Sequence, residues 1–252
     1  MRKIALVTGA TAGIGTAVAE ILAENGYNLI ITGRRKELLE NLKSKLGVKY
    51  KSDVLALNFD IRDREQTEKA IDTLPKSWEK IDALINNAGL SLGLTPIQDG
   101  SVDDWDQMID TNIKGLLYIT RKVAPLMVKR GSGHIVNISS IAAKETYEGG
   151  NVYCATKHAV DALNKGMRID LVKHNIKVTS IAPGMVETEF SLVRFKGDKA
   201  RAKKVYEGLT PLSADDVAEA VWFALSRPPH VNINDMLIMP TAQASITTVV
   251  RK

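Results

Sequence analysis

The 252-residue chain predicts an α/β protein, a doubly wound, seven-stranded parallel sheet with helices on both faces. Three observations carry this prediction. Short apolar runs alternate with segments of helical period along the whole length, as a parallel sheet with crossover helices requires. The runs are nearly continuous in apolar residues, as expected of strands covered on both faces. No linker, low-complexity tract or change of composition divides the chain, so one domain over residues 1–252 is expected.

The elements follow in order. "KIALVT" reads as a first strand ending in a glycine turn, Ile14, Val18, Ile21 and Leu22 recur at helical spacing after it, and "GYNLIIT" is a second strand, completing one βαβ unit. Leu38, Leu39, Leu42 and Leu46 mark the second helix, "DVLALNFD" the third strand, 63–73 a charged helix and "IDALINNAG" the fourth strand. A long helix around 102–129 precedes the strand "GHIVNIS". Then come a helix holding "NVYCATKHAV", the strand "IKVTSIAP", a loop, a helix from about 213 to 226 and a last strand near "DMLIMP". With right-handed crossovers this is a Rossmann-type sheet, in which ligands bind outside the carboxyl ends of the strands.

Composition narrows the function classes. The chain is 44% hydrophobic and 25% charged with a net charge of +5, but Lys and Arg are interleaved with Asp and Glu, which describes a solvated surface rather than a nucleic-acid-binding face. The densest basic stretch, "VRFKGDKARAKK" at 193–204, either attracts an anionic substrate or is a solvated surface segment. The apolar stretches are too short to span a bilayer and "MRKIALVTGA" lacks the apolar core and cleavage pattern of a signal peptide, so a soluble cytoplasmic protein with no membrane partner is expected. A single cysteine, Cys154, excludes an internal disulfide, and four histidines without ligand spacing predict no metal.

The chemistry-bearing residues follow strands. "TGATAGIG" at 8–15 joins the first strand to the first helix. Gly9, Gly13 and Gly15 remove side chains where the backbone turns tightly and approaches a pyrophosphate, and the helix start, with Thr11 and Ile14 beside it, presents free N–H groups. The spacing is G-x-x-x-G-x-G rather than the G-x-G-x-x-G of the general dinucleotide fingerprint. The second strand ends in Arg34 and Arg35, guanidinium forks suited to a 2′-phosphate where an NAD site would place a carboxylate; NADP(H) is therefore the expected cofactor. Asp60 and Ile61 close the third strand, where the carboxylate could accept from an adenine amino group and the aliphatic chain cover the ring, although Asp60 could instead cap the next helix. Asn87, Ala88 and Gly89 end the fourth strand in a small-residue turn suited to a ribose. Tyr153 and Lys157 stand four apart on one helix face and can act on one object.

Taken together, Thr8-Gly9-x-x-x-Gly13-x-Gly15, Asn86-Asn87-Ala88-Gly89, Ser140, Tyr153-x-x-x-Lys157 and Pro183-Gly184 resemble the short-chain dehydrogenase/reductase family over essentially the whole chain. "GGNVYCATK", "ETEFSLVRFKGD" and "PHVNINDMLIMP" resemble a narrower group, NADP-dependent 3-hydroxy acid dehydrogenases acting on serine, allo-threonine and similar acids or on the corresponding semialdehydes. The resemblance implies Tyr153 as general acid/base, Ser140 as hydrogen-bond donor to the substrate oxygen, Lys157 holding the nicotinamide ribose and acidifying the tyrosine, and Asn112 anchoring a water linked to the lysine. It implies that Pro183, Gly184, Val186 and Thr188 border the nicotinamide. Ser139 and Ser140 point opposite ways on a strand, and the thirteen-residue separation from Tyr153 selects Ser140.

For a 3-hydroxy acid a cation should meet the carboxylate, and Arg194, with Lys196, is expected to do so from a lid after "PGMVETEF". Lys144 and Glu145 in the loop before Tyr153 depart from the family pattern and are expected to bear on substrate choice. Cys154 reads as a packing residue. A homotetramer is implied, with contacts through the 102–129 helix and the Tyr153 helix, where Ala155, Ala159 and Ala162 would allow close approach. A 3-oxoacyl or sugar reductase would share all the catalytic and cofactor residues, and a non-catalytic NADP-sensing regulator is a second alternative.

Overall fold

A computed structural model describes residues 2–252. In chain order the elements are β1 (Ile4–Val7), α1 (Gly13–Glu24), β2 (Asn28–Gly33), α2 (Lys36–Tyr50), β3 (Val54–Asn58), α3 (Arg64–Asp72), β4 (Ile81–Asn86), α4 (Val102–Ile109), α5 (Leu116–Arg130), β5 (Gly133–Ile138), α6 (Asn151–Leu171), β6 (Ile176–Pro183), α7 (Phe190–Arg194), α8 (Lys199–Lys204), α9 (Ala214–Leu225) and β7 (Asp235–Ile238). The seven strands form one parallel sheet in the order β3-β2-β1-β4-β5-β6-β7. The chain crosses from β3 at one edge back to β4 beside β1, so the crevice of an open α/β sheet opens between β1 and β4.

Strand alternation sorts the core into two layers. Ala5, Val7, Leu29, Ile31 and Ile85 face α1, α2 and α9, whose Val18, Leu22, Leu39 and Val221 pack over them. Ile4, Leu6, Ile30, Leu84 and Ile135 face the opposite layer, where Ile71 of α3 and Ile119, Val123 and Met127 of α5 cover them. Local capping sets the helix starts: Asp63 accepts from the Gln66 backbone N–H at 3.0 Å, and Ser213 with Asp216 forms a capping box at the head of α9.

The structure corrects the sequence-based elements in four places. Coverage on both faces holds for the inner strands only, since β3 is half-buried and Leu237 of edge strand β7 is 48% exposed. The helix predicted around 102–129 is helical to Arg130 but opens into a π-helical turn at Asp110–Gly115. Leu38 lies on the outer surface of α2 while Leu39, Leu42 and Leu46 are buried. The loop after β6 contains two short helices, α7 and α8, too brief for hydrophobic period to reveal.

Candidate active site

A cleft of about 370 Å³ lies at the carboxyl ends of β1 to β6. It draws together Gly9, Thr11, Gly13, Ile14, Arg34, Arg35, Asp60, Ile61, Asn87, Ala88, Gly89, Ser140, Tyr153, Lys157, Pro183, Gly184, Val186 and Thr188. Of the predicted site residues Gly15, Asn112 and Arg194 stand just behind this lining.

The glycine loop is built for close approach. Gly9 and Gly13 have φ of +64° and +50°, in the left-handed region that favours glycine. Gly15 is needed for packing: a Cβ there would lie 2.3 Å from the Gly9 carbonyl oxygen and 2.5 Å from Asn87 Nδ2. Asn87 Nδ2 donates to the Thr8 and Gly9 carbonyls at 2.8 and 3.1 Å, and Thr8 Oγ1 accepts from the Asn87 and Ala88 N–H groups at 3.0 Å each. The β1 and β4 exits are thereby tied into one floor. Gly15→Ala should destabilise the fold by about 1–3 kcal/mol, the usual effect of overpacking, read as a lowered urea midpoint; an unchanged midpoint would show that the loop yields freely.

At the β2–β3 end the two arginines differ. Arg34 is 57% exposed and lies 3.9 Å from Asp60, leaving its fork available. Arg35 is engaged: Nε and Nη2 donate to Thr11 Oγ1 at 3.2 and 3.1 Å, Nη2 also to the Thr11 carbonyl, and Nη1 to Glu189 at 3.0 Å. Asp60 does not cap α3, since Asp63 does. Its carboxylate is gripped by Arg62, Nη2 to Oδ2 at 2.6 Å and Nε to Oδ1 at 3.1 Å. Partial burial pushes the Asp60 carboxyl up, but these hydrogen bonds prevail and hold it below the usual range.

At the other end stand the groups expected to do chemistry. Burial pushes the Tyr153 phenol up, opposed by the Arg194 guanidinium and by the neighbouring Ser140 hydroxyl. Ser140 Oγ also accepts from the Ala142 N–H at 3.1 Å, which fixes its rotamer, whereas Ser139 Oγ is buried without a partner. Lys157 Nζ donates to the Ile138 carbonyl at 3.0 Å, and burial lowers its pKa to about 8. The lysine is expected to be the cation acting on the tyrosine. The guanidinium carbon of Arg194, 5.3 Å from the Tyr153 ring centre, is nearer than Lys157 Nζ at 6.0 Å.

Asn112 is buried in the π turn, so its amide is not a tolerated surface group. Oδ1 accepts from the Leu90 N–H at 2.8 Å, and Nδ2 donates to the Leu90 carbonyl at 2.8 Å and to Thr156 Oγ1 at 3.0 Å. It thus ties the β4 exit to α6. Gly89 lies between it and the lysine: a Cβ there would be 3.3 Å from Asn112 Oδ1 and 3.6 Å from Lys157 Nζ.

Arg194 ends α7 in an aromatic box. Nε donates to Ser91 Oγ at 3.1 Å, Nη2 donates to Tyr147 Oη at 2.9 Å, and the guanidinium stacks against Tyr147, Tyr153 and Phe190. Lys196 does not join it. It pairs with Asp104 at 2.9 Å and is kept from the cleft. The expectation for Lys144 and Glu145 is also corrected: Lys144 pairs with Asp161 at 2.7 Å and with Asp235, and Glu145 Oε2 accepts from the Ile246 N–H at 2.9 Å. Both are drawn by partners on α6, β7 and the C-terminal segment, and neither lines the cleft.

Sequence reasoning missed Ser91, Tyr147, Glu189 and Phe190. Their roles depend on contacts across 37 to 154 positions, for which no spacing rule exists. Cys154 is fully buried in a small cluster with Leu90, Met108 and Tyr153, as its packing role requires. Among the described residues no group of three or more His, Cys, Asp or Glu could hold a metal ion, and no helix is long and apolar enough to cross a membrane.

Comparisons with known proteins agree on one family. The profile of the short chain dehydrogenases matches residues 3–198. The NADP-dependent 3-hydroxy acid dehydrogenase of Salmonella typhi is 50% identical over 242 residues, covering 96% of each chain. Sulfoacetaldehyde reductase 2 of Chromohalobacter salexigens is 44% identical over 245 residues, covering 97% of this chain and 96% of its own. Among solved structures, the closed form of serine dehydrogenase complexed with NADP+ superposes with a TM-score of 0.93 at 46% identity over 99% of each chain. The serine dehydrogenase of Escherichia coli superposes with a TM-score of 0.82 at 42% identity, covering 96% of this chain and 99% of that one.

Proposed function

Because the chain belongs to the short chain dehydrogenase family, we propose that it is an NADP(H)-dependent oxidoreductase that interconverts a small 3-hydroxy acid, of the serine, allo-threonine or 3-hydroxyisobutyrate type, with its semialdehyde. The cleft fits the cofactor. The glycine loop presents backbone where an added Cβ would intrude, and Arg34 holds an unencumbered guanidinium at the end where a 2′-phosphate belongs. When bound, the nicotinamide supplies or accepts the hydride.

The chain's own residues do the rest. Tyr153 takes the proton from the substrate hydroxyl in oxidation and returns it in reduction. Ser140, held by the Ala142 N–H beside Tyr153, donates to the substrate oxygen as charge develops there. Lys157 would hold the nicotinamide ribose, and Asn112 holds the β4 exit against α6 beside it. The observation that carries the substrate assignment is Arg194, a cation clamped by Ser91 and Tyr147 beside the Tyr153 ring. The carboxylate of a 3-hydroxy acid stands two carbon–carbon bonds from the carbinol carbon, so a hydroxyl placed at Tyr153 calls for a cation close beside that ring, and Arg194 is the cation there.

A short sulfonated aldehyde is the second reading, favoured by the sulfoacetaldehyde reductase relative, since Arg194 would hold a sulfonate equally well. A panel of serine, 3-hydroxyisobutyrate, sulfoacetaldehyde, an acetoacetyl thioester and an uncharged alcohol, with NADP(H) and NAD(H) in parallel, separates these readings. Arg194→Ala should raise KM for the preferred anionic substrate by about 10- to 100-fold, the loss of a charged hydrogen bond, and leave the uncharged alcohol nearly unchanged. Equal effects on both would remove Arg194 from substrate binding. Protein that binds NADPH and turns over nothing in the panel would be a redox-sensing module. A homotetramer in the cytoplasm belongs to the same reading, its assembly supported by a face of α6 that leaves Ala155 and Ala162 exposed.

A further inference from the structure

The cleft runs from Arg34 and Asp60 at one end to Ser140 and Tyr153 at the other, and its middle is walled by the glycine loop on one side and the segment after β6 on the other. Two contacts join these walls. Thr188 rests against Gly13, where a Cβ would be 3.1 Å from its Cβ and Cγ2, and Arg35 Nη1 meets Glu189 Oε2 at 3.0 Å. Arg35 is braced by its hydrogen bonds to Thr11, so its reach toward Glu189 is fixed by the glycine loop itself. On the other wall, Glu189 is the residue from which α7 starts. α7 carries Phe190, whose ring centre is 5.7 Å from that of Tyr153, and Arg194 at its far end.

We propose that the Arg35–Glu189 ion pair is a strap across the mouth of the cofactor cleft, which opens to release the cofactor and moves α7 as it does so. The proposal rests on the NADP(H) reading above. The pair joins the two walls between which a dinucleotide spanning the cleft would lie. The side chains are 46% and 54% exposed, so the pair is weak enough to open in each cycle and is no permanent staple. This divides the work of the two arginines: Arg34 is free for the phosphate, and Arg35 holds the wall. It also links the adenosine end of the cleft to the residues around Tyr153, because displacing Glu189 displaces the first turn of α7.

The test is the rate at which NADPH leaves, followed by stopped-flow displacement and nicotinamide fluorescence. Three proteins are compared: the wild type, Glu189→Gln, which keeps the size and removes the charge, and Glu187→Gln, which removes a neighbouring exposed charge that does not bridge the walls. Release from Glu189→Gln should be about two- to fivefold faster, the scale of an exposed ion pair, with Glu187→Gln at the wild-type rate. Release unchanged in Glu189→Gln, or accelerated equally in both variants, overturns the strap while leaving the cofactor assignment standing. Wild-type protein that bound no NADPH would overturn the cofactor reading itself, and the strap with it.

Discussion

Tyr153→Phe should lose about 10³-fold in kcat in both directions, within the range for removing a positioned acid/base, while NADPH binding and thermal stability stay close to wild type. The variant deletes one oxygen. The ring keeps its packing with Phe190 and its contact with Arg194, so the wall of the substrate site survives. With its pKa raised by burial, the phenol is neutral at pH 7 in the folded and the unfolded chain alike, so the substitution removes no charge and no large fall in stability is expected. Ser140 keeps its bond from Ala142 and can still polarise the substrate oxygen, which leaves some residual turnover. Steady-state kinetics in both directions, with NADPH titrated by fluorescence, checks the claim. A variant retaining more than a tenth of wild-type kcat would move the acid/base role elsewhere, and loss of NADPH binding in parallel with kcat would assign Tyr153 a structural role instead.

The parts of this protein that could be read in advance are those governed by local rules. Strands β1 to β6 follow from apolar runs, and the glycine loop, the small-residue turn after β4 and the Tyr153–Lys157 pair sit where a parallel sheet presents ligand groups. What was hidden depends on contacts between distant segments. The sequence shows Lys144 and Glu145 near Tyr153, but only the fold brings Asp161, Asp235 and the Ile246 N–H against them and turns them from the cleft. Arg194 and Lys196 are two positions apart and chemically alike. The left-handed backbone at Lys196, φ 51°, and the carboxylate of Asp104 separate their fates. Asparagine has poor intrinsic helix propensity, and at Asn112 the explanation is a π turn that no periodicity announces.

Lys157→Met should separate function from stability, with turnover falling by about 10²-fold, the scale of losing one preorganised electrostatic group, and the fold becoming more stable at neutral pH. Burial sets the pKa of Lys157 at about 8 against an ordinary 10.5, so the folded protein holds this proton less firmly than the unfolded chain does. Between those two values the unfolded state binds more protons, and stability must therefore rise with pH across that window. Below pH 8 the folded state carries the full burden of a buried cation, roughly 3 kcal/mol from the pKa difference. Methionine fills a similar volume without charge. It leaves the Ile138 carbonyl without its donor, at about 1–2 kcal/mol, so the net gain at pH 7 is about 1–2 kcal/mol. Urea midpoints at pH 7 and pH 10 for both proteins provide the check: the variant should lead at pH 7 and lose that lead at pH 10. Identical pH dependence in the two would mean that Lys157 is solvated in the folded state. A solvated ammonium would need no functional reason to persist, whereas a cation retained against its own desolvation is a group the site uses.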